Sequence, residues 1–144
     1  TYSSLLLRLS YTWLKSTVDA EDAVQEVFLK LISKNPSFQS EEHEKAWLIR
    51  TTINHCKDIL KKSSRRDIPL DESLNLESNP EGRLLSAVLS LPEKYSTVIY
   101  LYHYAGYSIK EISKILNLPA ATVGTRLSRG RAQLKQIVEE EVKV

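Results

Sequence analysis

Basic and hydroxyl-bearing side chains recur near the carboxyl end of the chain, at spacings that place them on one side of a helix. This outward face carries Thr122, Thr125, Arg126, Arg129 and Gln133. From Arg126 onward no acidic residue follows before Glu139, so the positive charge is not balanced locally. Arginine can bond a guanine edge, and shorter polar side chains can bond bases or phosphates. The pattern predicts a helix that inserts into the major groove of DNA; a solvated amphipathic helix in an ordinary bundle is the alternative.

A second basic stripe lies on the predicted helix Glu42–Lys62. Polar and basic residues recur there at spacings of four, three and four, namely Arg50, Asn54, Lys57 and Lys61. Such a stripe can follow a nucleic-acid backbone, and Asn54 offers a donor and an acceptor to a base edge. The alternative is a plain solvated face, because most charge runs are only that. A separate apolar stripe of the same helix is the predicted core face, and it comprises Ala46, Ile49, Ile53, Cys56 and Leu60.

The predicted helix Ala20–Ser33 has the opposite charge. Its inward face is apolar and comprises Val24, Val27, Phe28 and Leu31. Its outward face comprises Asp22, Gln25, Glu26 and Leu29. An exposed leucine beside acidic residues favours a docking surface for a basic protein helix rather than for nucleic acid. A plain acidic surface helix is the alternative.

No set of residues in the sequence matches a catalytic site. His43 and Glu44 begin a metalloprotease-like string, but Trp47 stands where the second histidine is required. One cysteine and three scattered histidines cannot supply a usual structural zinc site without several carboxylates. No glycine-rich phosphate loop is present. We therefore expect neither an enzyme nor a bound metal or cofactor.

The elements that must position the last helix form a predicted helix-turn-helix. Ser108 and Glu111 predict a capping box at the start of its first helix, and Asn117 can adopt the left-handed conformation that a short turn requires. The apolar faces that pack together are expected to be Ile109, Ile112, Ile115 and Leu116 on the first helix and Val123, Leu127 and Leu134 on the second. Gly130 shares this face and predicts close helix packing, whereas Gly124 either lets the backbone approach DNA or is an incidental surface glycine.

Helical periodicity appears in two stretches, separated by residues from Ser63 to Pro80 that have the composition of a linker. In the first stretch Asp19 is the expected N-cap of the second helix, and in the second stretch Gly106 closes a helix. The expected helices are Ser3–Ser16, Ala20–Ser33, Glu42–Lys62, Glu81–Ser90, Pro92–Ala105, one from the capping box to Leu116, and Ala120–Glu140. The sequence therefore predicts an all-α fold of two small helical domains joined by a flexible linker, the second domain being the helix-turn-helix.

Composition limits the class of protein. An apolar fraction of 42% and a charged fraction of 26% are ordinary for a globular chain of 144 residues. Cys56 is the only cysteine, which predicts a reducing compartment, and the run Leu5–Leu7 is too short for a signal peptide or a membrane span. We therefore expect a cytoplasmic protein. Because the chain starts at Thr1 and contains no methionine, we also expect that residues preceding Thr1 are missing.

Three motifs, in this order, resemble bacterial sigma factors of the small two-domain extracytoplasmic-function class. The first is the stretch DAEDAVQEVFLKL from Asp19 to Leu31. The second is AWLIR from Ala46 to Arg50, followed by Asn54 and Asp58. The third is LPEK from Leu91 to Lys94, followed by Thr122-Val123, Arg126-Leu127 and Arg129-Gly130-Arg131. The resemblance covers nearly the whole chain and implies a non-enzymatic protein that lends promoter specificity to RNA polymerase.

The resemblance implies a role for each part of the chain. Residues 1–66 would form sigma region 2, and residues 67–80 the linker. In sigma region 2 the residues implied to bind core RNA polymerase are Asp22, Gln25, Glu26 and Leu29. The residues implied to bind the melted minus-ten element of promoter DNA are Arg50, Asn54, Lys57 and Lys61.

Residues 81–144 would form sigma region 4, whose helix-turn-helix binds the minus-thirty-five element. The residues implied to read it are Thr122, Gly124, Thr125, Arg126, Ser128 and Arg129. Pro119 stands where relatives often carry a capping serine, and Gly130 where many carry alanine. Both departures bear on the start and the rigidity of the recognition helix.

The implied partners are core RNA polymerase and promoter DNA, and many relatives are silenced by an anti-sigma factor that covers the same surfaces. The chief alternative is a stand-alone repressor or a phage packaging protein that uses a helix-turn-helix. That alternative gives the acidic helix no role. Affinity for core polymerase separates the two hypotheses.

Overall fold

The computed structural model describes residues 2–62 and 79–142, and the chain divides into two compact units, Thr1–Leu74 and Asn75–Val144. Within these described residues the secondary structure is helical and contains no strand, which confirms the predicted all-α fold. The predicted linker, residues 67–80, lies outside the described residues except for Asn79 and Pro80. None of the helices in the described ranges is long and apolar enough to cross a membrane.

The amino-terminal unit contains α1 (Tyr2–Leu14), α2 (Thr17–Lys34) and α3 (Glu41–Lys62). The first helix packs against both others, and α2 packs against α3. Each helix contributes fully buried side chains, among them Leu6, Leu9, Val27, Leu48 and Ile49. The predicted core stripe of α3 is confirmed, since Ile49, Ile53 and Cys56 are buried and Ala46 and Leu60 are half-buried. One apolar face per helix thus builds a single core.

The predicted N-cap of α2 is wrong by one turn. Ser16, not Asp19, caps this helix: the Ser16 hydroxyl oxygen accepts a hydrogen bond from the Asp19 backbone N–H at 3.3 Å. The reason lies in the preceding turn, where Lys15 adopts a left-handed φ of 56° and its N–H donates to the Tyr11 carbonyl at 2.8 Å. Because α1 closes there, α2 starts at Thr17. Asp19 then lies in its first turn, where a carboxylate interacts favourably with the helix dipole.

The carboxyl-terminal unit contains α4 (Pro80–Ser90), α5 (Glu93–Ile99), α6 (Ile109–Leu116) and α7 (Ala120–Val142). The first of these begins one residue earlier than predicted, because Asn79 caps it by accepting from the Gly82 N–H at 2.8 Å and Pro80 suits its first position. Buried residues in this unit include Leu85, Val88, Val98, Leu101 and Ile112.

The helix predicted from Pro92 to Ala105 is interrupted. Pro92 precedes α5 as its N-cap residue, and after Ile99 the chain widens into a π-helical segment, Tyr100–Tyr104. Its wider hydrogen-bonding pattern is seen where the Ala105 N–H donates to the Tyr100 carbonyl at 3.0 Å. The segment buries Tyr100 and Leu101 and leaves its next three side chains exposed. Gly106, with φ of 81°, closes it as predicted.

The predicted helix-turn-helix is present. Both capping-box bonds form at the start of α6, from the Ser108 N–H to the Glu111 carboxylate at 2.9 Å and from the Glu111 N–H to the Ser108 hydroxyl at 3.1 Å. Asn117 ends α6 in the left-handed conformation, with φ of 56°. The facing apolar residues Ile112, Ile115, Val123 and Leu127 are buried.

Gly130 provides the close helix contact that the sequence predicts. A Cβ atom at this position would lie 2.6 Å from Cδ1 of Ile99 and 3.1 Å from Cβ of Tyr95. Both neighbours are on α5 and are buried. The missing side chain therefore lets α7 pack directly on α5, and this packing fixes where the earlier turns of α7 lie.

Candidate nucleic-acid interface

A groove of about 350 Å³ lies between the start of α5 and the first turns of α7. It is lined by Lys94, Tyr95, Ala121, Thr122, Thr125, Arg126 and Arg129. Three of these side chains are cationic, two carry hydroxyls on α7, and no carboxylate is among them. Such a lining suits the phosphates and base edges of a nucleic acid. The structure thus brings together four of the six residues that were implied for DNA recognition by α7.

Two of the residues that line the groove come from α5 and were not predicted. The Lys94 ammonium nitrogen lies 5.0 Å from the centroid of the Tyr95 ring, which holds the ammonium by a cation–π contact beside the groove. Tyr95 is also one of the two residues against which Gly130 packs. The LPEK motif, which ends at Lys94, drew attention to the start of α5. Which residues lie near Lys94 in space depends, however, on the packing of α5 against α7.

The other two implied residues of α7 do not line the groove. Ser128 is exposed on another side of the helix, and Gly124 is half-buried with no atom within 4 Å of the place a Cβ would occupy. Open space at Gly124 is compatible with a close approach of DNA and equally with an incidental surface glycine. Arg131 is likewise absent from the groove, since its guanidinium bonds to His103 instead.

The basic stripe of α3 lies on the surface of the amino-terminal unit. Arg50, Asn54, Lys57 and Lys61 are all exposed, as their spacing predicts. Lys57 has a partner, however: its ammonium nitrogen lies 5.6 Å from the centroid of the Trp13 ring on α1. This contact orients the Lys57 side chain along the surface. The stripe therefore presents charge from one helix, with an aromatic ring of a second helix beside it.

Aromatic residues lie close together where α3 begins. The Trp47 ring is half-buried and meets the Phe38 ring edge-on at a centroid distance of 5.7 Å. Phe38 also contacts the His43 ring at 5.4 Å, and the His43 Nδ1 atom accepts from the Gln39 N–H at 3.2 Å. The cluster ties the start of α3 to the turn that precedes it, one turn before Arg50.

The outward face of α2 combines acidic and apolar side chains. Asp22, Gln25 and Glu26 are exposed, and Leu29 is 57% exposed. Two further apolar residues, Val18 at 66% and Ile32 at 74%, were not predicted to belong to this face. The sequence contained a signal for both. Val18 lies eleven residues before Leu29 and Ile32 lies three residues after it, and both spacings place a residue on the same side of a helix as Leu29. We call these three residues the apolar stripe of α2.

The side chains that most often carry chemistry do not converge. Within the described residues no three histidine, cysteine or acidic side chains lie close enough to hold a metal ion. Burial raises the pKa of the Cys56 thiol to about 11, with a smaller opposing effect from a hydrogen bond to Ser10. A thiol with that pKa stays protonated at neutral pH, so Cys56 acts as a core residue.

Comparisons with known proteins identify both units. Residues 1–66 match the family model described as Sigma-70 region 2, and residues 81–134 match Sigma-70, region 4. The chain is 32% identical to the ECF RNA polymerase sigma factor SigW of Bacillus subtilis strain 168, over 94% of this chain and 83% of that protein. It is also 32% identical to the ECF RNA polymerase sigma-E factor of Escherichia coli strain K12, over 84% of this chain and 74% of that protein.

The fold is similar to a solved structure as well. That structure is the co-crystal structure of the sigma factor RpoE in complex with the anti-sigma factor NepR from Bartonella quintana. The TM-score is 0.79, at 21% sequence identity, and the match covers 95% of this chain and 91% of that chain. At this level of identity the similarity establishes the fold.

Proposed function

The chain belongs to the extracytoplasmic-function class of the sigma-70 family of RNA polymerase sigma factors, and we propose that its two units bind two promoter elements at once. As a sigma factor it binds core RNA polymerase and directs transcription initiation at promoters. Each DNA surface described above is small, so each contact alone is weak. Attachment to polymerase raises the effective concentration of the second contact once the first has formed. Selectivity then comes from the pair of contacts and their separation.

The carboxyl-terminal unit, residues 81–144, is assigned to the minus-thirty-five element. The observation that supports this is the groove at the start of α7, where Arg126 and Arg129 stand beside two threonines without any carboxylate in the lining. These arginines would read base edges, while Lys94 would contact a backbone phosphate. Gly124 and Ser128 belong to the proposed set through family resemblance alone.

The amino-terminal unit, residues 1–66, is assigned to the melted minus-ten element. The exposed stripe of Arg50, Asn54, Lys57 and Lys61 supports this, because cations spaced along one helix can follow a single-stranded backbone. Asn54 is the member that can read a base, since its amide donates and accepts hydrogen bonds. The Trp47 and Phe38 rings at the start of α3 provide an aromatic surface next to the stripe.

The outward face of α2 is assigned to core polymerase. Asp22, Gln25 and Glu26 supply the polar contacts, and Leu29 of the apolar stripe supplies an apolar anchor. Exposed apolar side chains flanked by acidic residues suit a basic amphipathic helix of the partner. An anti-sigma factor that covers this face would silence the protein, and the similar sigma factor RpoE from Bartonella quintana was solved in complex with the anti-sigma factor NepR. Recovery of this chain from its native cell with an inhibitory protein, rather than with polymerase alone, tests that part.

Catalysis is not part of the proposed function, and we assign the protein to the cytoplasm, where RNA polymerase works. The first assignment rests on the family, and the second on the family and on a single cysteine that forms no disulfide. The chain would contribute recognition, while polymerase carries out the chemistry.

Transcription with purified core polymerase and Arg129→Ala tests the assignment of the groove. We expect the variant to lose about 1–3 kcal/mol of discrimination at one upstream base position, because a bidentate contact to that base is removed. Lys135→Ala is the matched control, since Lys135 is a cation of the same helix that lies outside the groove and faces Glu139 at 3.9 Å. Unchanged base preference in the Arg129 variant would remove this residue from the reading set.

A further inference from the structure

We propose that His103 is a positioning residue for the recognition helix, which it holds through a bifurcated hydrogen bond: its Nε2 lone pair accepts jointly from the Nε and Nη2 groups of Arg131. The consequence is that DNA binding by the carboxyl-terminal unit weakens when the imidazole takes up a proton. This inference rests on the proposed function, since it concerns the helix that is assigned to the minus-thirty-five element.

The contact joins the π-helical segment to α7. The Arg131 Nε and Nη2 atoms lie 3.2 Å and 3.1 Å from the same atom, His103 Nε2. The guanidinium also lies over the Tyr102 ring, 5.3 Å from its centroid, and that ring meets the His103 ring edge-on at 5.0 Å. Three side chains of two elements thus form one cluster.

The chemistry of the contact fixes the protonation state of His103. A guanidinium can donate hydrogen bonds but cannot accept them, so Nε2 must carry a lone pair and the ring must be neutral. Protonation would place a second positive charge against the guanidinium and remove the acceptor. The contact therefore exists in the neutral form of His103 and breaks in the charged form.

The surroundings of His103 favour the neutral form. Partial burial of the ring first, and then the Arg131 guanidinium, lower the pKa of His103 from its ordinary value of 6.5. The other charged residues of the elements around this segment do not contribute to the shift. They are Glu93 and Lys94 of α5, Lys110, Glu111 and Lys114 of α6, and Arg126, Arg129, Lys135, Glu139 and Glu140 of α7. Because the pKa is lower in the folded state, the stabilisation is complete above pH 6.5 and is lost as the pH falls through the folded pKa.

The position of Arg131 explains why the contact matters for recognition. It directly follows Gly130, where α7 packs on Ile99 and Tyr95 without space for a side chain. Packing at Gly130 sets the distance between α5 and α7, and the buried Val123 and Leu127 orient the earlier turns of α7. The hydrogen bond from Arg131 to His103 adds a polar restraint on rotation about the α7 axis. Arg129 and Arg126, which line the groove two and five residues earlier, then keep their direction.

The sign of the pH effect separates this proposal from ordinary electrostatics. Protonating a histidine adds positive charge to a DNA-binding protein, which by itself tightens binding to phosphates. Loss of the His103 contact acts in the opposite direction. Comparing wild type with His103→Gln isolates the effect of losing the His103 contact. The glutamine amide oxygen accepts from Arg131 at every pH, and the glutamine side chain does not titrate.

The experiment uses the full chain bound to core polymerase and a duplex that this wild-type complex selects from a random-sequence pool at about pH 7.5. We expect His103→Gln to bind like wild type at that pH. At about pH 5.5 wild type should have lost about fivefold in affinity relative to His103→Gln, because one charge-assisted contact is gone. Arg131→Gln should also lack this loss, since a glutamine amide can accept from the protonated ring.

The matched control is His55→Gln in the amino-terminal unit. The His55 Nδ1 atom likewise faces a cation, the Lys30 ammonium at 3.4 Å, and burial lowers its pKa first and Lys30 second. This variant should keep the wild-type loss at acid pH. The Arg131 Nε–H resonance in wild type should be sharp at neutral pH and broaden on acidification, which tests the contact without DNA.

Parallel pH profiles of wild type, His103→Gln and Arg131→Gln would overturn the proposal, as would a wild-type affinity that rises on acidification relative to both variants. A wild-type complex that selects no sequence from the pool would instead contradict the proposed function. The two failures are therefore distinguishable.

Discussion

The two units present positive charge in different ways. In the amino-terminal unit the cations stand on the outward face of one long helix, α3, and their spacing along that helix determines their arrangement. In the carboxyl-terminal unit the cations of two helices meet in a groove, and Lys94 joins Arg126 and Arg129 only because α5 packs closely on α7. The first surface therefore depends on secondary structure, and the second depends on tertiary packing.

This difference fits the two DNA forms that the units are proposed to bind. A single strand is flexible and can follow a linear stripe, so little precision is needed from the protein. Base edges in a duplex groove are fixed, and reading them requires side chains held in place from more than one direction. We therefore expect packing changes to impair recognition in the carboxyl-terminal unit more than in the amino-terminal unit.

The largest expected effect concerns the apolar stripe of α2 in the amino-terminal unit, which is proposed to contact core polymerase. Leu29→Ala should lower the affinity for core polymerase about tenfold, because a central apolar anchor of the contact is removed. Leu84→Ala in α4 is the control, since Leu84 is also an exposed leucine, at 41%, and should leave this affinity unchanged. Equilibrium binding of labelled chain to core polymerase measures both, and equal losses would contradict the assignment.

The next effect tests whether the groove depends on helix packing. Gly130→Ala inserts a methyl group 2.6 Å from Cδ1 of Ile99, so overpacking of about 1–3 kcal/mol should outweigh a gain in helix propensity of about 1 kcal/mol. Gly124→Ala in the same helix meets nothing and should raise the free energy of unfolding by up to about 1 kcal/mol.

Urea denaturation of the two glycine variants gives these free energies. Duplex binding then adds a second result: if DNA approaches the backbone at Gly124, the more stable Gly124→Ala protein will bind more weakly. Equal or greater stability of Gly130→Ala would show that close packing of α7 on α5 is not required.

A smaller effect is expected from Lys94, the member of the groove that α5 supplies. Lys94→Ala should weaken duplex binding to all sequences alike, because one phosphate contact is lost. The steepness of the plot of the logarithm of the binding constant against the logarithm of the salt concentration should fall by about 1. Lys135→Ala, which removes a charge from α7 outside the groove, should change neither value. Titrations of duplex with holoenzyme at several salt concentrations measure the slope. A change in sequence preference would mean that Lys94 reads bases.

The smallest effect concerns stability in the amino-terminal unit. Lys15 ends α1 with a left-handed φ of 56°, a conformation that costs a residue with a side chain about 1 kcal/mol. Lys15→Gly should therefore stabilise the protein slightly, by up to about 0.5 kcal/mol after the greater entropy of the unfolded chain is counted. Asn117→Gly is the control in the other unit. Because asparagine tolerates its φ of 56°, this substitution should increase the stability less than Lys15→Gly does. Thermal unfolding of both variants tests the difference.

Secondary structure and the faces of long helices could be predicted from the sequence. The α3 stripe, the core position of Cys56, the Ser108 capping box and the left-handed Asn117 all follow from local pattern. Each depends on residues within a turn or two of one another, which is the range over which periodicity and capping operate.

Features that depend on contacts between helices could not be predicted. The π-helical segment after Ile99 has no local marker such as proline or glycine within it, whereas the start of α2 was missed although its signals at Lys15 and Ser16 are local. Lys94 lies 28 residues before Thr122 in sequence, yet both line one groove. The bond between Arg131 and His103 likewise joins residues 28 positions apart in sequence.

The two helical units are proposed to bind separate stretches of DNA while attached to core RNA polymerase. Mapping of transcription start sites tests this proposal most directly, with purified core polymerase and genomic fragments, in the presence and absence of this chain. We expect start sites that require the chain and share two upstream sequence elements at a fixed separation. Insertion of base pairs between the elements should abolish initiation. Start sites that are the same with and without the chain, or that share only one element, would contradict the proposal.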